Sequence, residues 1–484
     1  MLRRGLAVVV AAAAIAGLVT AFAPFGDDDH GRSGSTREST FVDRDGDGVL
    51  ERGSGDPLVS RTALAPASQP GRTLARFAQL TDAHVTDEES PVRLEMLDRR
   101  GAPFTSAFRP QEALTAQVLR AAVVSLNAER PEAVVVTGDL VDNAQQNEVA
   151  EAVAVLNGGR VDPGSGARRY EGVQEQSNPD PFYYRSDVDP PRHPGLLTRA
   201  QRPFVSPGLD APWYPTVGNH DLLVQGNLAP TRRTEAVALG DRKLVRLSQA
   251  ALSAANVRDV SPRAVGALLA HGLPGKTMRV TPDPRRRELR PSQMLAALRH
   301  GSGRGAGGRW LDYSFDIGPK VRVIVLDLIS RRAGAAGVVH AGQSGWLARQ
   351  LRAARDRWVV VFSHTPLSRT RGGERLTALL DRDPHVVAAV AGDVHRNTIA
   401  ARRTRAGGYW TITTSSLVDY PQQARMFELV ETKGGVAVRT WVVDAAPDDE
   451  LAAVSRELAF LDYQGGRPSG LAGSRADRNA TLFR

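Results

Sequence analysis

From residue 74 onward the chain alternates short apolar runs with stretches that are apolar on one side only. Leu74 to Leu80, Ala133 to Thr137, Pro212 to Val217, Val321 to Leu328, Trp358 to Ser363 and Val386 to Ala391 have the length of strands, and several are rich in valine. Between them Leu114, Val118, Ala122 and Leu126 recur every four residues, and Trp346, Leu347 and Leu351 share one side of a later stretch, the spacing of an amphipathic helix. Strands alternating with helices predict an α/β fold with a sheet covered on both faces. Trp310 to Phe315, Tyr409 to Thr414, Met426 to Glu431 and Gly435 to Val443 read as further strands, expected in a second sheet.

Two stretches break this order. Residues 158–211 are rich in Pro, Gly, Asp, Arg and Tyr, and residues 222–309 mix amphipathic helix with the run Arg285-Arg286-Arg287 and a glycine-rich end. Segments of that length inside a domain read as functional lids or as disordered insertions, and the arginine run as a solvated face. Tyr183, Tyr184, Trp213 and Tyr214 are expected to pack rather than to form a substrate platform. Residues 446–484 begin helically and end in a polar tail.

The chain opens with Arg3-Arg4 and an uncharged apolar run from Leu6 to Phe22, so residues 1–25 read as an export segment. Ala21-Phe22-Ala23 fits signal cleavage, whereas Pro24 and the length of the run fit an uncleaved anchor. General secretion and twin-arginine export both stay open, and either places the body of the protein outside the cytoplasm, in the extracellular space or on the cell surface. Residues 26–72 read as a polar linker. Within it Asp43, Asp45 and Asp47 alternate around Gly46 as in a calcium loop, but position twelve, where that loop needs a bidentate Glu, is Ser54.

Composition narrows the chemistry. With no cysteine among 484 residues, disulfides, thiolate metal sites and cysteine nucleophiles are excluded. A metal would have to be held by His, Asp, Glu or Asn, a donor set suited to Mn, Fe, Zn, Mg or Ca. All but Lys243, Lys276, Lys320 and Lys433 of the 62 basic residues are arginine, and the net charge is +9. Guanidinium groups suit a phosphate ligand, but no aromatic-and-basic module of a nucleic-acid binder is present.

The predicted strands end in polar residues. Thr81-Asp82-Ala83-His84 closes the first and Gly138-Asp139-Leu140-Val141-Asp142-Asn143 the second. Gly218-Asn219-His220-Asp221 follows the third, and Ser363-His364 and Gly392-Asp393-Val394-His395 end two later ones. Ligands of α/β sheets gather beyond the carboxyl ends of strands, so these groups can converge. Their order, D-x-H, G-D-x-x-D, G-N-H-D, H and G-x-x-H, resembles the calcineurin-like metallophosphoesterases, and the long spacings resemble exported actinobacterial members. The resemblance spans about residues 74–443 but is confined to these islands and to the Gln343-x-x-Trp346-Leu347 helix.

The resemblance implies a four-layer αββα sandwich over residues 73–445, with 158–211 and 222–309 inserted as a cap. It implies a first metal on Asp82, His84, Asp139 and His395, with Asp139 bridging to a second on Asn219 and His364. Two divalent ions sharing a carboxylate acidify a bridging water, and that hydroxide would attack a phosphate mono- or diester. His220 is then expected to protonate the leaving oxygen, with Asp221 orienting its ring and raising its pKa. Asp142 and Asn143 are expected beside the ligands or the phosphate. Asp393 stands where the family usually has a histidine, so a weaker second site is expected there. That departure leaves open a non-catalytic metal- or phosphate-binding exported protein, against which His220 argues.

Overall fold

The computed structural model describes residues 33–101, 104–254, 267, 272–303, 308–332, 334–446, 448–462 and 470–484; the proposed export segment lies outside them. Two sheets carry the architecture. The first contains β1 (Val59–Arg61), β2 (Thr73–Leu80), β3 (Val134–Thr137), β4 (Trp213–Thr216), β11 (Gln423–Thr432), β12 (Gly435–Asp444) and β13 (Ala480–Phe483), in the order β1-β13-β12-β11-β2-β3-β4. The second contains β5 (Tyr313–Ile317), β6 (Val321–Leu326), β7 (Trp358–Ser363), β8 (Val386–Ala391), β9 (Thr398–Arg402) and β10 (Tyr409–Thr413), in the order β5-β6-β7-β8-β10-β9. β2, β3 and β4 run parallel, as do β6, β7, β8 and β10.

Period-two alternation explains why the sheets face each other. Phe77 of β2, Val323 and Val325 of β6, Val360 and Phe362 of β7 and Phe427 of β11 meet in a core between the sheets. There Phe77 stacks on Phe427 at 5.2 Å and meets Phe362 edge-on at 6.1 Å. The intervening residues point outward. Ala78 and Leu80 pack against α1 (Thr115–Glu129), with α2 (Gln146–Asn157) in the same core. Ile324, Leu326, Val359 and Val361 pack against α4 (Gln343–Ala353) and α5 (Gly373–Leu380). Strands apolar on both faces thus produce the expected four layers, helix, sheet, sheet, helix.

Three expectations are corrected. Of the four additional strands, β5 and β10 lie in the second sheet as expected, but β11 and β12 join the first, with β11 beside β2, while β6, β7 and β8 leave it for the second. An apolar run states that a strand is buried and leaves its neighbour undefined. The described part of the linker, 33–72, is built into the domain: Thr36 donates to the Val442 carbonyl at 3.1 Å and β1 extends the first sheet. The polar tail supplies β13 between β12 and β1, and buried Arg425 holds it by donating to the carbonyls of Asp477 and Arg478 at 2.8 and 3.0 Å.

The insertions lock onto the segment that follows Asp82. Residues 242–247 pair with 275–279 as an antiparallel ribbon whose fully buried Lys243 donates to the carbonyls of Glu88 and Ser90 and reaches Glu95 at 2.9 Å. Arg286 is buried against Asp87 at 2.9 Å, so only its neighbours match the solvated face expected of the arginine run. Tyr183, Tyr184, Trp213 and Tyr214 are buried, as packing residues should be.

Leu482 of β13 is fully buried between the sheets. Leu482→Ala should destabilise by about 2–5 kcal/mol, read by calorimetry as a lowered melting temperature; a response of surface size would mean that the strand is not part of the core.

Candidate metal centre

Three of the five sequence motifs, those of Asp82, Asp139 and Asp393, leave their strands through a backbone kink. Among the described residues nine non-glycine positions have positive φ, and five of them are Asp82, His84, Asp139, Asp393 and His395. Such left-handed residues cost about 1–3 kcal/mol each and cluster where function over-determines the backbone. Neighbouring glycines allow the approach: a Cβ on Gly218 would lie 2.0 Å from Asp139 Oδ1, and one on Gly392 2.5 Å from Asp82 Oδ2.

The side chains converge. Asp82, His84 and His395 can bring ligand atoms within 4.8 Å of one another, as can Asp82, Asp139 and His364. Asp139 Oδ2 stands 3.3 Å from His364 Nε2 and 3.7 Å from His84 Nε2, so one oxygen faces both halves. Asn219 donates its amide to the Gly226 carbonyl and turns Oδ1 to His364 Nε2 at 3.3 Å. Asp393 Oδ1 approaches the same nitrogen at 3.6 Å. His395 Nε2 lies 3.4 Å from Asp82 Oδ1. All seven ligands expected from the sequence therefore lie in one cluster.

Two nitrogens test whether a cation fits. His364 Nδ1 donates to the Thr137 carbonyl at 2.8 Å, which leaves Nε2 facing oxygens of Asn219, Asp139 and Asp393. That geometry needs a proton or a cation at Nε2. His84 Nε2 is buried and has no hydrogen-bond partner. Imidazole and carboxylate donors in this arrangement suit a divalent ion.

His220 is partnered differently from the expectation. Its Nδ1 meets Asp142 Oδ1 and the Asp142 carbonyl, each at 3.0 Å. Asp221 instead accepts from the backbone nitrogens of Gly218, Leu140 and Val141 at 2.8, 2.9 and 3.1 Å. It fastens the His220 turn to the end of β3 and does not orient the ring. The reason is local: at the start of a helical turn, a carboxylate two residues after Asn219 is placed to take up free N–H groups. Burial, together with Asp139, pushes Asp221 up to about 7. Against its own burial, His220 is raised to about 9 by Asp139 and Asp142. Asn143 donates to Asp142 Oδ2 at 3.2 Å and to Glu148.

Two residues that the sequence did not single out complete the cluster. Asp419 accepts from His395 Nδ1 at 2.7 Å, and Arg93, fully buried, sits 3.6 Å from Asp142 Oδ2 and 2.7 Å from Glu112. Against burial, Arg93 and the imidazoles of His220 and His84 hold Asp142 far below the usual carboxylate range. Neither residue stands at the glycine or polar break that ends a predicted strand, the signal that marked the others. In the N-terminal loop Asp43, Asp45 and Asp47 do come together, but they accept from the backbone nitrogens of Gly46, Asp47 and Val49, and Glu51 pairs with Arg44.

No family model matches the sequence, and no curated protein does. Among solved structures the chain is similar to a dimetal phosphatase from Danio rerio, with TM-score 0.37 and 14% identity, covering 77% of this chain and 100% of that one. It is also similar to the Termus thermophilus sulfate thiohydrolase SoxB in complex with glycerol, with TM-score 0.31 and 13% identity, over 81% of this chain and 62% of that one. At these scores neither likeness bears on function.

Burial lowers the pKa of His364 and His395, but the carboxylates around each outweigh it and raise both well above the ordinary value. Without metal the protonated imidazole is therefore favoured at both positions, and ligation requires it neutral. Metal uptake at pH 7 should release protons, and metal should be lost as pH falls. Calorimetric titrations in buffers of different ionisation enthalpy would count the protons; uptake without release, with an affinity flat from about pH 6 to 8, would contradict this.

Proposed function

We propose that the chain is a metal-dependent phosphoesterase acting on a phosphate mono- or diester. The observation that supports it best is the meeting of Asp82, His84, Asp139, Asn219, His364, Asp393 and His395 at the ends of strands from both sheets, with imidazole nitrogens turned onto carboxylate and amide oxygens. Asp82, His84 and His395 would hold one divalent ion, and Asn219, His364 and Asp393 a second, with Asp139 between them. Such ions, when bound, supply Lewis acidity toward the phosphoryl oxygens and acidify a water.

The protein's own groups do the rest. Asp419 and Thr137 fix the far nitrogens of His395 and His364, so that each presents Nε2 to the cluster. Asp142 holds His220 through Nδ1, which leaves Nε2 to carry the proton for the leaving oxygen. Asp393 brings oxygen where imidazole would bring nitrogen, which favours Mn or Mg over Zn at that position. The apolar run at the N-terminus supports export, so the reaction would take place outside the cytoplasm. No helix among the described residues is long and apolar enough to cross a membrane.

Metal-stripped protein should hydrolyse neither p-nitrophenyl phosphate nor bis-p-nitrophenyl phosphate, and should regain one activity on loading with Mn, Fe, Zn or Mg. Asp139→Ala should lose ions and turnover together. His220→Ala should keep its ions and lose about 10²–10⁴ in kcat; unchanged kcat would remove the acid role. Protein carrying two ions and hydrolysing no ester would overturn the proposal.

A further inference from the structure

The outer face of the second sheet is not uniformly covered. Helices α4 and α5 pack over β6 and β7 through Leu347, Leu351, Leu376 and Leu380. Beside them, over β8, β10 and β9, lies a cavity of about 760 Å³, within the size range of small-molecule sites. Its depth comes from the sequence. Val387 and Val390 of β8 point into the core between the sheets, and the residues turned outward here are the small Ala389 and Ala391. They pair across the sheet with Thr411 and Thr413, which makes a floor of small and hydroxylic side chains.

The cavity begins where the candidate metal centre ends. Ser363, one residue before His364, lines it, as does Val394, which stands between Asp393 and His395. Neighbouring Cα atoms are about 3.8 Å apart, so the rim is continuous with the ligand loops. The charge of the lining is one-sided: it includes Arg369, Arg396 and Arg402 and no carboxylate. Arg402 is spoken for, in a two-pronged pair with Asp381 at 2.6 and 2.7 Å. The exposed guanidinium groups of Arg369 and Arg396 have no ion-pair or hydrogen-bond partner among the described residues. Arg396 directly follows His395 in the chain. Unpaired guanidinium groups favour carboxylate and phosphate oxygens, which they bind in two-pronged fashion.

We propose that this cavity seats the leaving-group side of the substrate, and that the leaving group carries a second anionic group, phosphate or carboxylate, held by Arg369 and Arg396. This rests on the phosphoesterase reading and narrows its substrate to small bis-anionic esters. A neutral leaving group would bury no charge against the two arginines and would gain nothing from them.

The test is inhibition of whichever p-nitrophenyl ester the metal-loaded protein hydrolyses. Adenosine 3′,5′-bisphosphate is compared with adenosine 5′-monophosphate, which differs only by the second phosphate. The bisphosphate should inhibit about tenfold more strongly. In the double variant Arg369→Ala/Arg396→Ala, checked for an unchanged melting temperature, the two inhibition constants should converge. Equal constants in the unaltered protein, or a preference that survives both substitutions, would overturn the proposal. If no ester is hydrolysed, the phosphoesterase reading falls first. Direct titration of the metal-stripped protein with the two nucleotides then judges the cavity: a bisphosphate preference lost in the double variant upholds the anion site, and no preference removes it.

Discussion

Face-to-face packing of the two sheets is the constraint from which the rest follows. Phe77, Phe362 and Phe427 lock β2, β7 and β11 together across the central core. Asp82 comes just after Thr81 at the end of β2 and His364 follows β7 directly, so the aromatic contact that joins the sheets also sets the spacing of these candidate ligands. The kinked residues beyond each strand are affordable only because the strands themselves cannot shift. Five left-handed residues could carry several kcal/mol of backbone strain together, and a domain with a thin core could not hold them in place.

The centre is surrounded by a buried polar shell. Asp142 collects His84, His220, Arg93 and Asn143, and Arg93 passes the connection on to Glu112 and Glu95. Lys243 reaches Glu95 from the insertion. Low dielectric makes each of these pairings strong and each unpaired member expensive. Burial raises Glu95 to about 7 and Glu112 to about 8 even with their cationic neighbours. The insertion is thus coupled electrostatically to the ring of His220, through carboxylates and cations that are not themselves candidate ligands.

What was legible in the sequence was whatever is local. Asp82, His84, Asp139, Asn219, His364, Asp393 and His395 announce themselves because a glycine or polar break ends an apolar run beside each; strands alternating with helices announced the α/β class, and the four layers were implied by the resemblance. The partner of His220 was not legible. Asp221 adjoins it in sequence, yet its carboxylate is consumed by three backbone donors, and Asp142 arrives from another strand. Arg286 escaped for the same reason: whether a charge in a run is buried depends on a distant partner, here Asp87. Sheet membership and the edge strands β1 and β13 were hidden because backbone pairing leaves little trace in side chains such as those of Val59-Ser60-Arg61.

The pairing of β1 with β13 joins Val59 to Ala480, Ser60 to Thr481 and Arg61 to Leu482. Nearly the whole domain is therefore one closed loop, fastened by three parallel residue pairs between its two extremities. Such a seam is a contact of very high sequence separation, and its loop-closure entropy makes it slow to form. It also makes the sheet sensitive to loss of β13, which would leave β1 without a neighbour and bare the edge of β12. A protein sealed in this way depends on strands far apart in the chain to finish the same sheet whose ends carry Asp82 and Asp139.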